Sequence, residues 1–146
     1  MPEPVSVLVV DDDADVRELL RDYLSDQGYT VLEADGAAAA RARLAERVPD
    51  VALLDVGLPG EDGLSLARHI RERFDIGIIM ISGAGETVDR IVGLEVGADD
   101  YVSKPFDPRE VRARLKSVLR RYQRNGESAA PGTAAMPAAS ATRRVT

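Results

Sequence analysis

The sequence predicts an α/β domain: a doubly wound parallel sheet of five strands with five helices. Three observations predict it. Short and nearly all-apolar runs, Val7 to Val10, Val51 to Leu54 and Ile78 to Ile81, read as strands covered on both faces. Stretches with apolar residues at helical spacing separate them. The two kinds alternate almost to the end of the chain, which implies βα units with right-handed crossovers.

Val7-Leu8-Val9-Val10 is the first strand and runs into Asp11 and Asp12. Val16, Leu19, Leu20, Tyr23 and Leu24 then recur at helical spacing. Asp13 or Asp12 can cap that helix, Asp15 suits its positive end, and Gly28 ends it. Thr30 to Ala34 is the second strand and ends on nothing reactive. Ala40, Leu44 and Val48 mark the second helix, closed before Pro49. Val51 to Leu54 forms the third strand, closed by Asp55. Gly63 to Arg73 is the third helix, with Leu66, Ile70 and Phe74 on one stripe. Ile78 to Ile81 is the fourth strand, closed by Ser82. Glu86 to Val96 is the fourth helix, stopped by Gly97. Tyr101-Val102-Ser103 is the last strand, followed by Lys104 and Pro105. Pro108 to about Arg124 is the fifth helix, with Pro108 in its first turn and Val111, Leu115, Val118, Leu119 and Tyr122 facing inward.

Residues 1–124 thus form one domain, large enough for a real core. Residues 125–146 hold seven Ala and two Pro and no Leu, Ile or aromatic residue. Such a segment cannot bury enough apolar surface to offset the entropy of ordering, so it reads as a flexible linker or tail. The charge balance is acidic, 25 Asp and Glu against 19 Lys and Arg. By itself the domain lacks the basic face that a phosphate backbone requires. Without cysteine there is no disulfide and no thiolate metal site, which fits a reducing compartment. No apolar run approaches the ~20 residues needed to span a bilayer, and the N-terminus lacks a signal-peptide pattern. The expectation is a cytoplasmic protein with no membrane partner.

The strand ends carry the chemistry. In an open parallel sheet the carboxyl ends of the strands share one edge, and ligands bind there. Asp11, Asp12, Asp55, Ser82 and Lys104 all fall on that edge. Three converging carboxylates repel unless a cation sits among them. Mg²⁺ suits them, because it is content with a few carboxylates plus waters and phosphate oxygens. Helix capping accounts for Asp13 and Asp15 but not for Asp55, which ends a different strand. Lys104 offers a point charge to an anionic oxygen, and Ser82 and nearby backbone N–H groups offer hydrogen bonds. A cis Lys104–Pro105 peptide is expected to turn the lysine into the pocket.

The segments VLVVDDDADVRELL, LLDVGLPGEDGL, IIMISG and GADDYVSKPF resemble, in order and spacing, the receiver domain of bacterial two-component response regulators. The resemblance covers residues 5 to about 122. It implies a flavodoxin-like, CheY-like sheet of order 2-1-3-4-5. It implies that Asp55 is the phosphoacceptor for a sensor histidine kinase. Asp11, Asp12, Asp55 and the Gly57 carbonyl are then the Mg²⁺ ligands, and Ser82, Gly83 and Lys104 bind the phosphoryl oxygens. Ser82 and Tyr101 match the switch pair. The domain is then a switch that assists its own phosphorylation and dephosphorylation, not an enzyme.

The run DRIVGLEVGADDYVSKPFDPREVRARLKSVLRR resembles the region from the fourth to the fifth helix of OmpR/PhoB-type transcription factors. That implies a phosphorylation-dependent dimer through the fourth helix, fifth strand and fifth helix. Its face would hold Arg90, Ile91, Leu94, Asp99, Asp100, Glu110, Ala113 and Arg114. Arg90 with Glu110, and Asp100 with Arg114, are the pairs expected across or beside it. DNA would be reached through an output domain that these residues do not include. The alternative is a stand-alone regulator acting on a protein partner. Gly57 and Gly83 are smaller than is usual in the family, which implies a site open to water. An aspartate-nucleophile phosphatase is the rival enzyme reading for Asp11, Asp13 and Asp15; helical periodicity from Val16 leaves little room for its loop. An EF-hand calcium loop fails because Val16 occupies the position of the required Gly.

Overall fold

Residues alternate along each strand, and that alternation divides the core in two. In the computed structural model, which describes residues 4–61, 63–83 and 96–129 (side chains to residue 122), five strands form one parallel sheet. They are β1 (Ser6–Val10), β2 (Thr30–Ala34), β3 (Val51–Asp55), β4 (Gly77–Gly83) and β5 (Asp100–Lys104), in the order β2-β1-β3-β4-β5. Leu8, Val10, Ala52, Leu54, Ile78 and Met80 point to one face, where they meet Ala37, Ala40 and Leu44 of α2 (Ala37–Glu46) and Leu66, Ala67 and Ile70 of α3 (Gly63–Arg73). Val7, Val9, Val51, Leu53, Ile79, Ile81 and Val102 point to the other. There they meet Leu20 and Leu24 of α1 (Ala14–Asp26) and Val111, Leu115 and Val118 of the C-terminal helix (Pro108–Ala129). Helices on both faces explain why the central strands carry no polar alternation. The expected fold and strand order are both found.

Local signals act where expected. The Asp13 side chain accepts from the Asp15 N–H and caps α1. Gly28 ends that helix with φ +95°, a conformation L side chains rarely adopt. The Lys104–Pro105 peptide is cis.

Three expectations need correction. Val48 is 51% exposed, because α2 ends at Glu46 and the residue before Pro49 is steered to extended backbone; Pro49 takes the buried place. Leu19 is 47% exposed, one step off the stripe that Leu20 and Leu24 share. The C-terminal helix continues to Ala129, past the boundary at Arg124. Composition marks where large apolar residues stop; the helical backbone carries on for five residues more. The fourth predicted helix and residues 130–146 lie outside the described residues.

At the amino edge of the sheet, a polar knot joins four segments. Asp99 Oδ2 accepts from Arg71 Nη2 (2.9 Å), from the Ile78 N–H (2.9 Å) and from the Tyr122 hydroxyl (2.9 Å). Arg71 also donates to the carbonyls of Gly97 and Ile76. Burial, with the Asp99 charge, pushes the Tyr122 phenol up to about 12.

Candidate metal and phosphoryl site

The strand order decides what meets at the opposite edge. β1 lies beside β3, with Val10 paired to Leu54, so Asp11 and Asp12 leave the sheet next to Asp55. Ligand oxygens of these three carboxylates lie within 4.8 Å of one another. Asp11 and Asp55 are buried, and Asp12 is exposed at the mouth. From β5, the Lys104 ammonium reaches to 3.1 Å from Asp11 Oδ2 and 3.5 Å from Asp55 Oδ1. Ser82, 1% exposed, follows Ile81, the β4 partner of Asp55. Gly83 pairs in register with Lys104.

Backbone contacts fix the two buried acids. Asp11 Oδ1 accepts from the Asp13 N–H at 2.9 Å, and the Asp11 N–H donates to the Ala34 carbonyl. Gly57 donates its N–H to Asp55 Oδ1 at 3.3 Å. Burial, with the Asp11 charge, raises the Asp55 carboxyl above its ordinary range; Lys104 and the Gly57 N–H act against that. Burial also works to lower the Lys104 ammonium, but the hydrogen bond and charge of Asp11, helped by Asp55, outweigh it and the pKa rises. This donor set fits a hard divalent ion: oxygen-only, anionic, on separate elements, with like charges crowded and one side open to water.

Tyr101 is half-buried, its ring packed on the face that α2 and α3 cover and its hydroxyl oxygen buried. Gly57 is exposed, with no atom within 4 Å of where a Cβ would stand. On the far flank, Arg114 Nη1 lies 3.2 Å from Asp100 and its Nη2 3.3 Å from Glu110, with Ala113 exposed beside them. Asp99, expected on that surface, instead has its carboxylate inside the polar knot. Arg90, Ile91 and Leu94 lie outside the described residues.

Two residues were not singled out by sequence. Arg17 Nη1 donates to the Asp11 carbonyl at 2.7 Å while its Nε lies 3.5 Å from Glu33, tying α1 to the acidic corner. Gly63 lies against the Asp55 backbone. The signal for Gly63 was a glycine, the weakest helix former after proline, at the first position of a helix.

A doubly wound sheet with three carboxylates and a lysine at the switch point between β1 and β3 defines a CheY-like receiver fold. The chain belongs to the response regulator receiver domain family, whose profile matches residues 7–116. It is 50% identical over 135 residues to the transcriptional regulatory protein AruR of Pseudomonas aeruginosa, covering 89% of this chain and 55% of that protein. It is 49% identical over 129 residues to the phosphate regulon transcriptional regulatory protein PhoB of the same organism, covering 86% and 56%. The crystal structure of the receiver domain of the TMAO respiratory system response regulator TorR superposes with a TM-score of 0.78 at 42% identity, covering 82% of this chain and 99% of that one. The chain is thus a two-component receiver related to OmpR/PhoB-type regulators, and it spans about half the length of the curated relatives it matches. Among the described residues, no helix is long and apolar enough to cross a membrane.

Proposed function

We propose that this domain accepts a phosphoryl group from a sensor histidine kinase on Asp55 and acts as a switch, not as an enzyme. The observation that carries this reading is the convergence of Asp11, Asp12 and Lys104 on the buried Asp55 carboxylate. An Asp55 oxygen attacks phosphorus, the bond to the donor histidine nitrogen breaks, and the nitrogen leaves with the electron pair. The product is an acyl phosphate. Asp11, Asp12, Asp55 and the Gly57 carbonyl would hold Mg²⁺, which offsets the charge crowding when one anion attacks another. Lys104, Ser82 and the Gly83 N–H bind the phosphoryl oxygens and keep the donor in line. Acetyl phosphate with Mg²⁺ should add one labile phosphoryl group to the wild-type chain, seen by intact-mass spectrometry, and none to Asp55→Asn. Equal labelling of the variant sinks the assignment.

The output follows from the same reading. A shift of Ser82 toward the phosphoryl group draws Tyr101 after it, and the face that carries Asp100, Glu110, Ala113 and Arg114 closes on its copy. In cytoplasmic regulators as long as AruR and PhoB, such a dimer would bring two output segments together on DNA.

A further inference from the structure

We propose that Gly63 is a positioning residue for the Asp55 nucleophile: the first residue of α3 is seated on the Asp55 peptide so closely that only hydrogen fits between them. This rests on the acceptor reading above and adds a residue to it. A Cβ at position 63 would stand 2.1 Å from the Asp55 carbonyl oxygen, 2.8 Å from its carbon and 2.9 Å from Val56 Cα. All three are fixed backbone atoms, so no side-chain rotation relieves the overlap. Gly63 is not among the glycines with positive φ, so space and not conformation demands it. The seat is hydrogen-bonded on both sides: the Gly63 N–H donates to the Val56 carbonyl at 3.1 Å, and the Val56 N–H donates to the Ile81 carbonyl at 2.9 Å.

The consequence is geometric. Asp55 is the last residue of β3, and its carboxyl-side peptide keeps one bond to β4, from the Val56 N–H to the Ile81 carbonyl. Gly63 packs on the other side of that peptide and closes the β3–α3 loop, which also presents the Gly57 N–H to Asp55 Oδ1. A methyl group at position 63 must push the Asp55 carbonyl, which shifts the backbone that carries the attacking carboxylate, or lift α3 and open the β3–α3 loop. Displacements near 1 Å at a reacting group can lower rates on the order of a hundredfold.

Gly77 supplies the control. Its Cβ would stand 2.6 Å from Val118 Cγ1, a milder overlap, with a buried side chain, at the opposite edge of the sheet. Gly63→Ala and Gly77→Ala should both lower the melting temperature. With acetyl phosphate and Mg²⁺ both saturating, Gly63→Ala should label on the order of a hundredfold more slowly per folded molecule, with Gly77→Ala near the wild-type rate. Equal rates for Gly63→Ala and wild type overturn the inference, and so does an equal loss in both variants, which would mark a general effect of destabilisation. Hydrogen exchange on the wild-type chain decides the matter if Gly63→Ala does not fold: the Gly63 amide should exchange as slowly as the Val56 amide, and fast exchange overturns the proposal. A wild-type chain that takes no phosphoryl group overturns the acceptor reading, and this inference with it.

Discussion

Among the described residues, Lys104 is the cation whose side chain reaches both buried acids, Asp11 and Asp55. Its role and that of Asp12 therefore separate cleanly. Asp12→Ala removes one of three anionic ligands and should weaken Mg²⁺ binding at least about tenfold, the loss usual even for partners one layer further out. Lys104→Ala removes a competing positive charge and should leave Mg²⁺ affinity equal or higher while slowing phosphorylation. Titration calorimetry distinguishes the two, and loss of Mg²⁺ binding in Lys104→Ala would refute the placement. The chemistry of these residues was legible because a parallel sheet turns position in sequence into position in space: strand ends share an edge. Asp99 was not legible in the same way. Its carboxylate is held by Arg71 and Tyr122, 28 and 23 residues away on other elements, and no periodicity connects them.

The helices divide by what their stripes bury. Leu20 is fully buried against the sheet, whereas neighbouring Leu19 is 47% exposed. Leu20→Ala should cost about 2–5 kcal/mol in urea unfolding, and Leu19→Ala should stay within about 0.5 kcal/mol. Sequence spacing placed both leucines on one helix but could not rank them, since each lies within the arc an apolar stripe can occupy. Between α2 and α3, Arg41 bonds to Glu61 and contacts His69 Nδ1 at 2.8 Å. A guanidinium only donates, so that contact requires Nδ1 unprotonated. Burial, with the charges of Arg41 and Arg73, holds the His69 pKa below its ordinary 6.5, although Glu61 and Glu72 pull the other way. The folded state then binds the proton more weakly than the unfolded chain. The stabilisation is present above the unfolded value of 6.5 and is lost as pH falls from there through the lower folded value. His69→Gln should flatten the slope of melting temperature against pH in that window, and an unchanged slope would remove His69 from the account.

At the scale of the molecule, activation is expected to join two copies. Beryllofluoride, as a phosphoryl mimic, should convert monomer to a two-fold dimer in light scattering, and Ile91→Glu should prevent this while Asp55 still takes a phosphoryl group. A wild-type chain that stays monomeric when activated would favour action on a different protein partner. Ion pairs decide little here: Arg114 already meets Asp100 and Glu110 within one chain, and such exposed pairs contribute about 0–1 kcal/mol each. The two-sided core was legible from nearly all-apolar strands, and the sheet order from the resemblance to receiver domains. The reach of the C-terminal helix was not, because residues 125–129 contain no Leu, Ile, Val or aromatic residue for patterning to register.

That helix is anchored late along its length. Tyr122 binds Asp99 at the edge of the sheet away from the acidic corner, and the helix runs seven residues further to Ala129. At about 1.5 Å per residue, roughly 10 Å of helix lies beyond that contact. Its heading is set by Val111, Leu115 and Val118 packed on the sheet and, at Tyr122, by a carboxylate oxygen that also fastens Arg71 and the amino end of β4. A tilt of about 10° at this root would swing the tip by roughly 2 Å. The end of the helix at Ala129 is therefore steered from the sheet, like a boom swung from the foot of its mast.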